Sequence, residues 1–314
     1  MRSNYVSPAE KLKVVLVGAG RWGSNIARVL KELESEGLVE LYAVVDLDLS
    51  KAVELSRAYG FKIAEKDPAA VDGDAYLVAV PIDSLFGTVL KVVDRARCIF
   101  IEKPAATSVK EVMLLLDELR SRGVVDQVGY LVRFDPLSVE LAKLVNQLNP
   151  YALRFRRLSR RPQHMRKYPV TLDLMSHDVD LAFHLLRTES FKVLSSRLSP
   201  EGGPPQRALG VVKYGDIEVL LEADGILPVK VREVDLLSER ALVRADFVSR
   251  KVLVLSESGI TELRIDGAEP LKVELKVFIE RCHGADLEAP TLEDALKVLR
   301  VLEELHRLAG RREA

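Results

Sequence analysis

The stretch Lys13-Val-Val-Leu-Val-Gly18-Ala-Gly20-Arg-Trp-Gly23 constrains the fold more than any other part of the chain. Its aliphatic start is typical of a buried strand in a parallel sheet. The three glycines have the G-x-G-x-x-G spacing in which the first permits a tight bend, the second lets the backbone approach phosphate oxygens, and the third lets a helix pack on the strand. The stretch therefore predicts a dinucleotide site, with the pyrophosphate at a helix N-terminus.

The residues after the glycines support this prediction. Ile26, Val29, Leu30 and Leu33 keep a helical period, and a second strand is predicted over residues 41–45, directly before Asp46. An acidic residue about twenty positions beyond the glycines is placed to bind the adenosine ribose hydroxyls. It would also repel a 2′-phosphate, so the sequence predicts NAD rather than NADP. The alternative is a glycine turn and a capping aspartate without a ligand.

Length and charge limit the classes of function. A chain of 314 residues is long enough for two domains. Although 30% of the residues are charged, the formal net charge is -1, so we expect neither nucleic acid nor a membrane as partner. No signal segment or long apolar run is present, which predicts a cytoplasmic protein.

The cysteines and the amide residues give two further expectations. Cys98 lies in a predicted strand and Cys282 in a late helix. Because they are far apart in sequence, we expect neither a disulfide framework nor a zinc site. Asn and Gln are scarce while Glu, Lys and Arg are plentiful, which resembles the composition of a thermophile's protein.

The order of helix and strand patterns predicts the fold class. Up to residue 126 they alternate, which is typical of a parallel sheet covered on both faces. A strand over 151–158, a helix over 168–187 and short alternating segments over 191–264 follow, and two helices end the chain. We therefore predict an α/β protein with an N-terminal Rossmann doubly wound sheet over residues 1–127. Residues 128–314 are predicted to form an α+β domain with an open, mainly antiparallel sheet that serves substrate binding and oligomerisation.

Glu102-Lys103-Pro104 is the first segment suited to chemistry. It follows a predicted strand, and open α/β sheets bind ligands outside the carboxyl ends of their strands. Lys103 is therefore predicted to point at the nicotinamide and the substrate. The alternative is a solvated or ion-paired lysine.

The second such segment is a helix containing Asp173, His177 and Asp180, which share one face at helical spacing. Asp173 can orient the imidazole of His177, and a histidine suits the proton transfer that accompanies hydride loss from a hydroxyl. The alternatives are a merely stabilising Asp/His pair and a metal site completed by His184. Since the usual two-histidine spacing is absent, we predict no metal.

The chain resembles the glucose-fructose oxidoreductase, inositol dehydrogenase and MocA (Gfo/Idh/MocA) family over nearly its full length. The matching segments are GAGRWG, Asp46, Ala79-Val80-Pro81, Glu102-Lys103-Pro104, the Gly129 to Pro136 stretch, Asp173 to His177 with Asp180, and APTLEDAL near the end. Within the family the motifs are most similar to UDP-N-acetylglucosamine 3-dehydrogenases. Those proteins usually have histidine in place of Tyr130, and family members often carry a histidine soon after the proline that matches Pro81.

The resemblance implies specific roles. Lys103, Asp173 and His177 form the catalytic group, with the histidine as acid/base and the lysine bonding the reacting oxygen. Pro104 holds the turn of the lysine, in many members through a cis peptide. The expected cofactor-binding residues are Gly18, Gly20, Arg21, Trp22, Gly23, Asp46, Val80, Pro81, Glu102 and Lys103. The expected substrate-binding residues are Lys103, Tyr130, Arg133, Arg157, Arg160, Asp173 and His177.

A basic stretch indicates the substrate class. Seven cations stand just before the Asp173 helix, namely Arg154, Arg156, Arg157, Arg160, Arg161, Arg166 and Lys167. One interpretation is a solvated basic surface. The other is that Arg157 or Arg160 clamps a diphosphate, for which guanidinium forks are suited.

These observations lead to two hypotheses on function. The first is an NAD-dependent dehydrogenase acting on a secondary hydroxyl of a sugar, cyclitol or nucleotide sugar. The second is a catalytically silent dinucleotide-binding sensor or partner-binding protein of the same fold. We also expect a homodimer or homotetramer formed through the C-terminal sheet, whose apolar positions include Val211, Val219, Leu221, Val231, Val234, Leu236, Val243 and Val252.

Overall fold

A computed structural model describes residues 11–200 and 203–310. The strands are β1 (Leu12–Val17), β2 (Val39–Val45), β3 (Ile63–Glu65), β4 (Ala75–Val78), β5 (Cys98–Glu102), β6 (Val125–Gly129), β7 (Ala152–Ser159), β8 (Phe191–Ser199), β9 (Arg207–Tyr214), β10 (Ile217–Asp224), β11 (Lys230–Leu237), β12 (Ala241–Asp246), β13 (Lys251–Ser256) and β14 (Gly259–Arg264). The helices are α1 (Arg21–Ser35), α2 (Leu49–Tyr59), α3 (Leu85–Val92), α4 (Val109–Arg122), α5 (Pro136–Leu148), α6 (Ser176–Leu186), α7 (Pro270–Cys282) and α8 (Leu292–Gly310). None of these helices is both long enough and apolar enough to span a membrane.

The chain divides into two compact units. The first contains the described residues up to Leu131 together with Glu269–Leu296, and the second contains Val132–Ala268 and the described residues from Lys297 onward. This division differs from the expected boundary at residue 127, because a segment near the C-terminus returns to the first unit. A periodicity pattern identifies α7 as a helix but carries no signal for the sheet it packs on.

The first unit is the predicted doubly wound fold. Its six strands are all parallel and run in the order β3-β2-β1-β4-β5-β6, which is the strand order of dinucleotide-binding sheets. Helix α4 has local signals at both ends, since Ser108 accepts a hydrogen bond from the Glu111 amide at its start and Gly123 adopts φ +65° at its end. At the start of α2, the Asp48 side chain accepts a hydrogen bond from the Ser50 amide.

The expectation of no disulfide is wrong. Cys98 and Cys282 form one, with their Cα atoms 5.8 Å apart. Helix α7 packs against α1 and β6, and this brings its last residue to the start of β5. Their separation of 184 residues therefore says nothing about their distance in space. Disulfides are rare in intracellular proteins of mesophiles but common in those of hyperthermophiles, which is consistent with the composition.

The second unit has an eight-stranded sheet in the order β14-β13-β12-β11-β7-β10-β9-β8, in which only the β7 and β10 pair is parallel. Helices pack on one face through α5 and α6, and Gly210 on that face lies against Leu305 of α8. Most valines and leucines that we assigned to the oligomer surface are buried on this covered face, namely Val219, Leu221, Val234, Leu236, Val243 and Val252. The opposite face, called here the open face, instead presents Leu209, Leu220 and Ile260, which are 47%, 38% and 71% exposed.

Candidate functional site

The glycine turn has the geometry that a bound pyrophosphate requires. Gly18 adopts φ +110°, and a Cβ there would lie 2.3 Å from the carbonyl oxygen of Ala79. A Cβ at Gly23 would lie 1.9 Å from the carbonyl oxygen of Gly18, whereas one at Gly20 would meet nothing within 4 Å. Close packing thus requires glycine at positions 18 and 23. Gly20 faces open space at the N-terminus of α1, where an anion is favoured.

Asp46 is held in place by the turn itself. Its carboxylate accepts hydrogen bonds from the Ala19 amide at 2.7 Å and from the Asp48 amide at 2.9 Å, one on each oxygen. The Gly18 amide donates to the carbonyl oxygen of Val45 at 2.7 Å. These bonds join the end of β2 to the glycine turn, so the carboxylate that we predicted to discriminate against a 2′-phosphate has a fixed orientation.

The buried Glu102 pairs with the half-buried Trp22 within the first unit. The indole Nε1 of Trp22, in the first turn of α1, donates a hydrogen bond to the Glu102 carboxyl group. A Cβ at Gly129 would lie 3.0 Å from the same carboxyl group, so β6 closes over it. Burial raises the pKa of Glu102 to about 7, against the opposing effects of the Trp22 hydrogen bond and the Lys103 charge.

Lys103 stands at the carboxyl end of β5, as predicted. The Lys103-Pro104 peptide is cis, and the chain turns there through a hydrogen bond from the Ala105 amide to the Glu102 carbonyl at 3.0 Å. The lysine side chain is half-buried. Val80 and Pro81 follow β4, the strand that lies between β1 and β5 in the sheet. The predicted cofactor residues therefore lie at the carboxyl ends of neighbouring parallel strands.

The predicted Asp173 helix begins with a π-helical turn over Thr171–Met175 that continues into α6. Such turns are frequent at functional sites. His177 is half-buried, and its neighbours Ser176 and Asp178 are buried. The imidazole thus lies on the accessible strip of a helix whose other sides are packed.

Three aspartates of this helical region pair with arginines inside the second unit. Arg133 donates to the two oxygens of Asp180 at 2.9 and 2.5 Å. Arg157 donates to the two oxygens of Asp178 at 3.1 and 2.6 Å, and Arg161 donates to Asp173 at 3.3 Å. All six residues are buried. The guanidiniums of Arg133 and Arg157, expected at the substrate, thus make bidentate contacts with carboxylates of the protein itself.

The remaining predicted substrate residues differ in accessibility. Tyr130 is fully buried, and Arg160 is exposed. Arg156 lies between Glu222 and Glu233 at 3.2 and 3.0 Å. Of the two arginines singled out for a diphosphate, Arg160 alone is accessible to a ligand from solvent.

Sequence reasoning missed the partners of these arginines. Asp178 and Asp180 are recognisable from sequence only as helix residues, because their arginines come from elements that are distant in the chain. The period of two in β7 does place Arg157 on the same face as the apolar residues Leu153 and Phe155, which are buried. This alternation was the available signal that Arg157 is buried. No group of three or more metal-ligating side chains is found among the described residues.

Comparison with known proteins finds a family match for the first part of the chain. Residues 12–130 match the model of the oxidoreductase family with an NAD-binding Rossmann fold, Gfo/Idh/MocA. The chain is 24% identical over 230 residues to scyllo-inositol 2-dehydrogenase (NAD(+)) of Bacillus subtilis, covering 66% of this chain and 67% of that protein. Alignments with two further inositol dehydrogenases span 40% and 57% of those proteins.

Solved structures confirm the predicted fold. UDP-N-acetylglucosamine 3-dehydrogenase GnnA from Acidithiobacillus ferrooxidans matches with a TM-score of 0.83 at 16% identity, over 96% of this chain and 98% of that one. An oxidoreductase from Agrobacterium radiobacter in complex with NAD+, L-tartaric acid and magnesium matches with a TM-score of 0.84 at 15% identity, over 96% and 97%. The glycine turn, Asp46 and the strands of the parallel sheet thus lie within the segment that matches the Gfo/Idh/MocA family of NAD-binding oxidoreductases.

Proposed function

We propose that the protein is an NAD-dependent dehydrogenase acting on a secondary hydroxyl of a sugar, cyclitol or nucleotide sugar. The observation that carries the proposal is the position of Lys103 just after β5, at the same carboxyl ends of the strands as the glycine turn and Asp46. A dinucleotide held at that turn extends across these strand ends. When bound, NAD supplies the hydride acceptor.

The side chains of the protein supply the proton chemistry. In this proposal the Lys103 ammonium donates a hydrogen bond to the reacting oxygen and stabilises negative charge that develops there. His177 removes the hydroxyl proton, and Asp173 orients the imidazole and stabilises its charged form. The proposal requires Lys103 and His177 to converge on one substrate oxygen.

The activities named for the relatives favour a class of substrate. The curated relatives are inositol dehydrogenases, and one structural relative is a UDP-N-acetylglucosamine 3-dehydrogenase. We propose a polyhydroxylated ring as substrate, with UDP-N-acetylglucosamine oxidised at its 3-position as the first nucleotide sugar to test. Arg160 is the cation of the proposed clamp that is accessible to a diphosphate.

The test is NAD reduction followed by absorbance with a panel of inositols, sugars and UDP-sugars. The His177→Ala variant is expected to lose most of its kcat while NAD affinity, measured by calorimetry, is unchanged. His184→Ala, on the same helix, is the matched control and should keep activity. Full activity of His177→Ala would overturn the assigned role of His177, whereas no reduction of NAD with any compound would favour the catalytically silent sensor over the dehydrogenase.

We also propose that the protein assembles through the open face. Leu209 and Leu220 are exposed there beside the ion pairs of Arg156 with Glu222 and Glu233. Apolar side chains interspersed with paired charges are typical of a protein interface. Leu220→Arg should lower the mass measured by light scattering from that of an oligomer to that of one chain, and an unchanged mass would contradict this assignment.

A further inference from the structure

We propose that Arg161 is a positioning residue for catalysis, which holds the Asp173 carboxylate that orients His177. The inference rests on the proposed function, because it needs Asp173 and His177 as the acid/base pair. Arg161 lies just beyond β7, where sequence inspection showed only one more member of a basic stretch.

The contacts of Arg161 are those of a buried anchor. The residue is 3% exposed. Its Nη1 donates to Asp173 at 3.3 Å, and its Nη2 donates to the carbonyl oxygen of Tyr168 at 2.9 Å and to the side-chain oxygen of Gln206 at 2.6 Å. One guanidinium therefore joins the catalytic carboxylate to the loop before it and to the start of β9.

Gln206, which accepts a hydrogen bond from Arg161, is itself held by hydrogen bonds. The buried Gln206 amide nitrogen donates to the carbonyl oxygens of Arg166 and Pro204 at 2.9 and 2.8 Å, which fixes the oxygen that receives Arg161. The Arg161 amide donates to the carbonyl oxygen of Gly225 at 2.9 Å. The planar guanidinium donates to Asp173, Tyr168 and Gln206 at once in a fixed fork geometry, which the ammonium of a lysine lacks.

Gly225 leaves room for this guanidinium. A Cβ at position 225 would lie 2.5 Å from the Nε of Arg161. The side chain of Arg161 thus passes over a glycine on its way to Asp173. An alanine at this position would displace the guanidinium while leaving both charges of the pair in the protein.

The position of Asp173 in the π-helical turn explains why an anchor is needed. Its amide donates to the carbonyl oxygen of Pro169 at 3.2 Å, and the turn over Thr171–Met175 departs from α-helical spacing. A carboxylate at the irregular start of a helix is oriented by its partners more than by helix geometry. Arg161 also supplies a charge of opposite sign to this buried carboxylate.

A double-mutant cycle in steady-state kinetics tests the inference. Arg161→Met should lower kcat by about 10- to 100-fold with the KM for NAD unchanged. The double variant with Asp173→Asn should lose no more than Asp173→Asn alone, because Arg161 acts through Asp173. Arg161→Lys should regain part of the lost kcat. Arg207→Met removes the neighbouring ion pair with Asp224 and should retain wild-type kinetics.

Gly225→Ala keeps the measurement decisive if Arg161→Met does not fold. It should lower kcat without changing the KM for NAD. A wild-type kcat in either Arg161→Met or Gly225→Ala, or losses that multiply in the double variant, would overturn the positioning role.

The outcome also separates the inference from the proposed function. If Asp173→Asn is impaired and Arg161→Met is not, only the inference fails. If Asp173→Asn keeps wild-type kcat, the proposed catalytic group fails and the inference fails with it.

Discussion

Replacing Glu102 with glutamine is expected to stabilise the protein above neutral pH. The Glu102 carboxyl group is buried beneath Gly129, and the loss of hydration raises its pKa from 4.5 to about 7. Because the folded state binds this proton more tightly than the unfolded state, the free energy of unfolding falls as pH rises from about 4.5 to about 7. That difference in pKa corresponds to about 3 kcal/mol. Glu102→Gln keeps an oxygen for the Trp22 indole and removes the charge.

The measurement uses the single tryptophan of the chain. Urea unfolding of the NAD-free protein, followed by Trp22 fluorescence at pH 4 and pH 8, should show equal stability of the two proteins at the lower pH. At the higher pH Glu102→Gln should be more stable by up to about 3 kcal/mol. In the native wild-type protein, Trp22 emission should titrate near pH 7, since its N–H donates to the titrating group. A wild-type emission that is constant from pH 5 to 9, or an identical titration in Glu102→Gln, would refute the reasoning.

Three further predictions concern packing and covalent structure. Cys98→Ala/Cys282→Ala, or reduction of the wild-type protein, should lower the free energy of unfolding by about 2–5 kcal/mol because the disulfide closes a loop of 184 residues; equal melting temperatures with and without reductant would contradict this. Gly23→Ala should prevent NAD binding in calorimetry and lower the melting temperature, since its Cβ would lie 1.9 Å from a backbone oxygen; wild-type affinity would be the opposing result. Arg157→Met should destabilise the protein by about 3–5 kcal/mol because the buried Asp178 carboxylate loses its hydrogen-bonded partner. The KM for a UDP-sugar should be unchanged in the folded fraction, and a raised KM with normal stability would restore the diphosphate clamp.

Local signals explain most of what the sequence predicted correctly. The glycine spacing, the helical period after it and Asp46 depend on residues that are neighbours in the chain or in adjacent strands. The same holds for the Ser108 cap and the Gly123 end of α4, which are set by hydrogen bonds within one turn. Such features are readable because the backbone geometry that they satisfy is local.

The predicted site was chosen by residue type and spacing, without knowledge of the partners of its side chains. Asp173 and His177 were recognised by spacing on a helix, but this spacing did not reveal that Arg161 binds Asp173. Arg157 was interpreted as a ligand clamp because its charge is visible in the sequence while its partner Asp178 is not. From sequence alone a charged side chain is predicted to be solvent-exposed, because the opposite charge that is buried with it is not recognisable.

The sequence alone determined the parallel α/β order and the dinucleotide turn, because each depends on periodicity and on short spacings. Only the tertiary structure decided that Cys98 meets Cys282, that Arg156, Arg157 and Arg161 are held by carboxylates, and which alternate residues of the second sheet remain exposed. These features depend on contacts between segments that are distant in the chain. Such contacts form when the apolar surfaces of different elements pack together, and they produce no periodic pattern in the sequence.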